Sequence, residues 1–316
     1  MKISNFTTFL IILLCALNVN AGLLTRLKAL KDNIVNYFAD DDKELNIDYG
    51  GSFTSRLDVY YDESDTRNLK PVVIFVHGGA WIIGDKIKYS KIGTLLVDEG
   101  YIGVLPNYVL FPFGSIEDMV DDVYKAIEWT YNNIEKYGGD KTKIILSGHS
   151  AGAHLAALTL IKSTLKMENQ DEDLDPLPNL SKLVLFNGPF DFDDYDSITN
   201  FFTQSEEVDH GIAEKLISKI FRSKDIGPTD ILKRIKEKSL AGLGVPKVNF
   251  FYADNDKLVP EKSANGLITQ IRRVCPKTAI NYIFNQGNGF EHSTLIMGAR
   301  NDDKEKQKLF MNIIEM

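Results

Sequence analysis

Lys143-Ile-Ile-Leu-Ser-Gly-His-Ser-Ala-Gly-Ala-His154 is the stretch that decides the fold. Ile144, Ile145 and Leu146 form a short apolar run, as in strands buried on both faces. Gly148-His-Ser-Ala-Gly152 follows at once, and residues 153–165 are rich in Ala and Leu, a helix-forming composition. A G-x-S-x-G thus sits between a strand and a helix. A strand that turns straight into a helix forces its hinge residue into a strained backbone. The flanking positions then tolerate almost no side chain, which accounts for Gly148 and Gly152. The hinge holds the Ser150 hydroxyl at the positive end of the new helix. A serine in an ordinary Gly-rich turn is the bland alternative.

Working outward, strand and helix patterns alternate. Strands are expected at 53–61, 72–76, 101–105, 182–186, 247–252 and 279–283. The clearest helix is 115–137, with Ile116, Met119, Val120, Val123, Ile127 and Ile134 on one face. Ser115 can cap its start, and Gly138-Gly139 can end it. Further helices are expected at 260–274 and 304–314. This alternation implies an α/β fold: a mostly parallel central sheet with helices on both faces. Residues 167–179 are acidic and read as a surface loop. Residues 190–243 are long, charged and helical without a strand signal, and read as a helical cap insertion. Its Ile212, Leu216, Ile217, Ile220 and Phe221 fall at helical spacing and fit a face lying over Ser150.

The 316 residues suffice for one large α/β domain or two small ones. Hydrophobic content is 44% and charged content 25%, ordinary for a soluble globular protein. A net charge of −8 argues against nucleic acid as a partner and against a polybasic membrane anchor. Residues 1–21 read as a signal peptide: Lys2, an apolar run at 9–17, and Val19-Asn20-Ala21 for cleavage. The apolar run falls short of the roughly 20 residues a bilayer requires. The remainder, 22–316, is expected to be a single domain in the secretory pathway, secreted or in the endoplasmic reticulum lumen. An uncleaved N-terminal membrane anchor is the alternative. Cys15 leaves with the signal, so Cys275 is left alone and no internal disulfide is expected. Asn179-Leu180-Ser181 is a glycosylation sequon. Asp40, Asp41 and Asp42, closed by Lys43, mark a linker. Leu23, Leu27, Leu30, Ile34 and Phe38 make an amphipathic stripe, suited to packing on its own domain or, second, to a membrane surface.

A serine hydroxyl is a poor nucleophile at neutral pH. It needs a base, and the base needs an orienting carboxylate. Both are expected after Ser150, in the order Ser, Asp, His. Asp256 follows the strand at 247–252, and His292 follows the strand at 279–283. Asp254 competes with Asp256; the spacing to Val259-Pro260 favours Asp256. His149 and His154 lie too close in sequence to Ser150 to come round as its base, and His210 lies in the insertion. His77-Gly78-Gly79-Ala80 follows a buried strand and can supply backbone donors to an oxyanion. The N–H groups of Gly79, Ala80 and Ala151 are assigned that role. No metal-ligand cluster or phosphate-binding loop is present in the sequence, so no cofactor is expected.

His77-Gly-Gly-Ala-Trp-Ile-Ile-Gly84, Asn107-Tyr-Val-Leu-Phe-Pro112, Asp118-Met-Val-Asp-Asp122, Tyr137-Gly-Gly-Asp140 and Gly148-His-Ser-Ala-Gly-Ala-His154 resemble α/β-hydrolase esterases of the prenylcysteine methylesterase type. They also resemble the neighbouring kynurenine formamidase and feruloyl esterase-like branches. The resemblance runs from about Asn46 to the C-terminus. It is specific for fold and acyl hydrolysis and weak for substrate. Relatives often carry Asp-Tyr-Arg where this chain has Asn107-Tyr108-Val109, which removes a charge near the elbow. The resemblance implies a serine carboxylic-ester hydrolase acting through an acyl-enzyme on a small-molecule ester, prenylcysteine methyl esters or other small hydrophobic esters among them. An arylformamidase is the alternative within the enzyme class. A non-catalytic binding protein on the same scaffold is the alternative outside it, and such proteins usually lose a triad residue.

Overall fold

The computed structural model describes residues 42–192 and 225–316 apart from 286 and 288, with scattered positions between 28 and 38 and between 215 and 219. The chain divides into two units, Met1–Asp41 and Asp42–Met316, and every element below belongs to the second. The expected signal peptide and the cap residues Ile212, Leu216, Ile217, Ile220 and Phe221 lie outside the described residues.

The strands of the main sheet are β1 (Lys43–Asp48), β2 (Arg56–Tyr60), β3 (Lys70–Val76), β4 (Ile102–Pro106), β5 (Gly139–His149), β8 (Lys182–Phe186), β9 (Lys247–Ala253) and β10 (Ala279–Asn285). A separate two-stranded hairpin is formed by β6 (Glu168–Asn169) and β7 (Glu172–Asp173). The helices are α1 (Ser90–Asp98), α2 (Ile116–Asn133), α3 (Ala151–Thr164), α4 (Pro228–Lys233), α5 (Lys262–Val274), α6 (Thr294–Arg300) and α7 (Lys304–Glu315). The sheet order is β1-β2-β4-β3-β5-β8-β9-β10. β1 and β2 enter antiparallel, and from β4 to β10 every pairing is parallel.

Parallel strands are joined by helical crossovers that cover both faces, so the strands read as unbroken apolar runs. β3 illustrates the division. Val72, Ile74 and Val76 pack on one face with α2, α3 and α5; Val73 and Phe75 pack on the other with α1, α6 and α7. α3 is buried nearly all round, so its Ala- and Leu-rich sequence shows no polar stripe. The chain passes from β3 to β4 on one side and then returns to β5 on the other. Ligand crevices form at such a reversal, outside the carboxyl ends of the strands.

Several sequence expectations need correction. Lys43 does not close a linker; it starts β1, whose alternating exposure marks an edge strand too polar to be read from its sequence. The strand expected at 53–61 begins only at Arg56. α1 and α6 were not legible as helices. Residues 167–179 are more than a surface loop. They hold the hairpin, bury Leu174 and Leu177, and place Asn169 Oδ1 on the buried Lys162 amine at 2.9 Å. Gly138, at φ 79, closes the helical segment as expected, but Gly139 already belongs to β5. Of the cap insertion, the two ends and scattered positions between 215 and 219 are described, and α4 lies toward its C-terminal end.

One buried carboxylate ties two loops to a helix. Asp122, inside α2, accepts from Ser52 N at 2.8 Å, Ser55 Oγ at 2.7 Å, Ser52 Oγ at 2.7 Å and Val109 N at 2.7 Å. Such a group is tolerated because its lone pairs are filled. Asp122→Ala leaves four donors behind, each costing about 1–3 kcal/mol where water cannot reach it. The urea midpoint is expected to report a loss of about 3 kcal/mol or more. Asp121→Ala, which removes only the partly exposed pair with Lys125, is expected to cost about 1 kcal/mol or less.

Candidate active site

The elbow is built by close backbone contact. A Cβ on Gly152 would lie 2.1 Å from Val76 O and 2.4 Å from His77 O; one on Gly148 would lie 2.6 Å from Gly152 O. Neither position admits any side chain. Ser150 between them adopts φ 54, ψ −122, a region that costs about 1–3 kcal/mol for a residue with a Cβ. The neighbours enforce it: Ser150 N donates to Phe186 O at 2.8 Å, and His154 N donates to Ser150 O at 3.0 Å.

Register then brings the other groups to the same edge. Val76 pairs with Gly148, Phe186 with His149 and Phe251 with Phe186, so β3, β5, β8 and β9 end side by side. His292 Nε2 lies 2.8 Å from Ser150 Oγ, and His292 Nδ1 lies 2.8 Å from Asp256 Oδ2. Ser150 and His292 are buried, and the Asp256 side chain is 1% exposed. Asp256 Oδ1 accepts from Leu258 N at 2.9 Å and Val259 N at 2.8 Å, and Oδ2 also accepts from Asn187 Nδ2 at 2.7 Å. Burial works against the charge of this carboxyl. The facing His292, the Val259 N–H and the Asn187 amide outweigh it and hold the carboxyl below the usual range. Asp254 does not join this set; its carboxylate accepts from Gly287 N at 2.7 Å and closes a turn.

The loop after β3 lies against Ser150. A Cβ on Gly78 would sit 3.2 Å from Ser150 Cβ and 2.9 Å from His149 O. Gly79, Ala80 and Trp81 follow at φ 135, 52 and 62. This left-handed run turns the Gly79 carbonyl inward, where it accepts from Ile82 N at 3.1 Å and Ile83 N at 2.9 Å. Ala151 is the first residue of α3, directly after Ser150. The Tyr108 hydroxyl donates to His77 O at 2.9 Å, and its ring stacks on His77 at 4.4 Å, fixing the start of the loop. Asn107, the departure from Asp-Tyr-Arg, has a local reason. Its Nδ2 donates to Asp85 Oδ2 at 3.0 Å while its Oδ1 accepts from Lys86 N at 2.7 Å. An Asp here would face Asp85 with like charge.

The BD-FAE family model matches residues 57–271, more than half of the chain. The chain belongs to the BD-FAE family. The BD-FAE chain is 31% identical over 245 residues to a rice (Oryza sativa subsp. japonica) protein named "Probable isoprenylcysteine alpha-carbonyl methylesterase ICMEL1", which covers 75% of this chain and 55% of that protein. It is 32% identical over 236 residues to the ICMEL2 protein of the same description from Arabidopsis thaliana, covering 72% of this chain and 53% of that one. The chain therefore spans about half the length of these curated relatives. Among solved structures, esterase B from Lactobacillus Rhamnosis superposes with a TM-score of 0.64 at 17% identity, covering 92% of this chain and 91% of that one. The fold is the α/β-hydrolase fold.

Three functional neighbours escaped the sequence. Asn187 was legible only as a short polar residue directly after a buried strand. His149 is not the partner of Ser150 Oγ; its Nε2 donates to His292 O at 3.1 Å and so holds the backbone of the other imidazole. His154 Nδ1 accepts from Trp81 Nε1 at 3.0 Å, so its Nε2–H donates to Ile226 O at 2.7 Å. Burial lowers His77 and His154 to about 4 and His149 to about 3. Unfolded imidazoles titrate near ~6.5. Between that value and about 4 the unfolded chain therefore holds more protons, and stability falls as pH drops through this window. Asp230, pushed up to about 6 by burial, acts in the opposite sense as one group against three. Urea midpoints are expected to be lower at pH ~5 than at pH ~7.5, with a smaller difference in His154→Gln, which cannot take up the proton. An unchanged midpoint across that interval would contradict the assignment.

Proposed function

We propose that this chain is a serine hydrolase of carboxylic esters. The observation that carries the reading is the unbroken line Ser150 Oγ, His292, Asp256, with 2.8 Å at each step. His292 Nδ1–H donates to Asp256, which leaves Nε2 with its lone pair toward the Ser150 hydroxyl. Ser150 Oγ attacks the ester carbonyl as Nε2 takes its proton. The same proton passes to the departing alcohol. Water then attacks the acyl-serine with His292 again as base, and the acid leaves. Asp256 stays ionised throughout and stabilises the transient imidazolium. The N–H groups of Gly79, Ala80 and Ala151 receive the charge on the tetrahedral oxygen. The crowding of Gly78 against Ser150 supports this, since it sets that loop beside the reacting atom.

Small hydrophobic esters, prenylcysteine methyl esters included, are the substrate class proposed. The support is the naming of the plant relatives. Ser150→Ala and His292→Ala are each expected to lower kcat/KM on p-nitrophenyl acetate by about 10³-fold or more, because the residues act as a unit. Asp256→Asn is expected to cost somewhat less and Asp254→Asn little. Loss of activity in Asp254→Asn alone would reassign the carboxylate. A panel from acetate esters to farnesylcysteine methyl ester then ranks substrates by kcat/KM.

We also propose that residues 1–21 direct the chain into the secretory pathway, on the strength of Lys2, the apolar run and Ala21. The mature N-terminus is then Gly22, with glycan on Asn179 in a eukaryotic host. Met1 retained in a membrane fraction would replace this with the anchored alternative.

A further inference from the structure

We propose that Asn187 is a positioning residue for the Asp256–His292 pair, setting both the orientation and the proton affinity of that pair. The proposal rests on the ester-hydrolase reading above.

Asp256 Oδ2 is shared. It accepts from His292 Nδ1 at 2.8 Å and from Asn187 Nδ2 at 2.7 Å, while Oδ1 is satisfied by the backbone of Leu258 and Val259. The backbone donors fix one oxygen. The amide fixes the other, so the carboxylate plane cannot rotate away from the imidazole. The amide also withdraws charge from the oxygen that faces His292. Without it, the full negative charge of Oδ2 acts on the imidazolium, and the pair binds its proton more tightly.

The placement of Asn187 is built, not incidental. Asn187 is buried at φ 49, a left-handed conformation that Asn tolerates better than most side chains. Its N–H donates to Phe251 O at 3.0 Å, extending the β8–β9 pairing by one residue. The next carbonyl, Gly188 O, accepts from the Tyr252 hydroxyl and from Ser263 Oγ at 3.2 Å. Ser263 Oγ in turn accepts from Phe190 N at 2.7 Å. A Cβ on Gly188 would lie 2.4 Å from the Phe190 ring and 2.9 Å from Ala153 Cβ. The segment that carries Asn187 is thus pinned on both sides, and its amide is aimed at the carboxylate of the neighbouring strand's loop.

Two variants isolate the effect. Asn187→Gly keeps the left-handed backbone without strain and removes the donor. Asn187→Asp keeps the size and the backbone tolerance but sets a second carboxylate against Asp256. The readout is the pH profile of kcat/KM on p-nitrophenyl acetate in the full chain, with urea midpoints to confirm folding. Since His292 acts as base only when neutral, tighter proton binding moves the acid limb to higher pH. The limb is expected to move up by about half a pH unit or more in Asn187→Gly and further in Asn187→Asp. At neutral pH kcat is expected to fall by about tenfold in Asn187→Gly, with KM changed by less than about twofold. Folded variants with a wild-type acid limb would overturn the proposal, whether their rates are normal or lowered equally at every pH. Full activity in Ser150→Ala would instead overturn the hydrolase reading and take this proposal with it. Inactive Ser150→Ala beside an unshifted Asn187→Gly rejects only the role of Asn187.

Discussion

The approach of β3 to β5 at their carboxyl ends is the constraint on which the site depends. Gly152 sits so close to the carbonyls of Val76 and His77 that even a methyl group has no room. That contact sets α3 against the end of β3 and leaves Ser150 no backbone conformation but a left-handed one. The same approach sets Gly78 against Ser150 and His149. Ser150 and the loop proposed to receive the oxyanion are therefore positioned by one packing event. Strain at Ser150 persists because the sheet, the helix and two glycines each oppose its relaxation.

The site contains four imidazoles, and burial keeps three of them uncharged at neutral pH. His77, His149 and His154 are buried and lowered to about 4 or 3. Each is fastened by a hydrogen bond: to Gly78 O, to His292 O and between Trp81 and Ile226 O. They serve as rigid, polar packing units. His292 differs by facing an ionised carboxylate. The four histidines are thus distinguished by partner rather than by burial, since all four are buried.

What the sequence revealed follows from which groups are local. The elbow was legible because strand, Gly148, Ser150, Gly152 and helix are contiguous. Asp256 and His292 were legible because chain order and strand ends constrain where such residues can fall. α1 was missed, and α6, a short helix directly after His292, was hidden by its length. β1 was missed because an edge strand needs only one apolar face. The contact between Asn187 and Asp256 spans 69 positions and depends on β8 lying beside β9, which no local pattern states. Asp122 belonged to a recognised motif, but its role as a hub for Ser52, Ser55 and Val109 is a tertiary fact.

That hub and Asn107 explain how this chain dispenses with the charged Asp-Tyr-Arg run of many relatives. The loop after β4 must be fixed because Tyr108 holds the carbonyl of His77, and Phe111 N donates to Trp81 O at 2.8 Å. Here the loop is held by a neutral amide on one side and a buried carboxylate on the other. Asn107 bridges Asp85 and Lys86, and Asp122 receives Val109 N. The backbone N–H of residue 109 makes this bond whatever its side chain, so an arginine is not needed there to hold the loop. The geometry beside Ser150 is thus kept with no charge at positions 107 and 109.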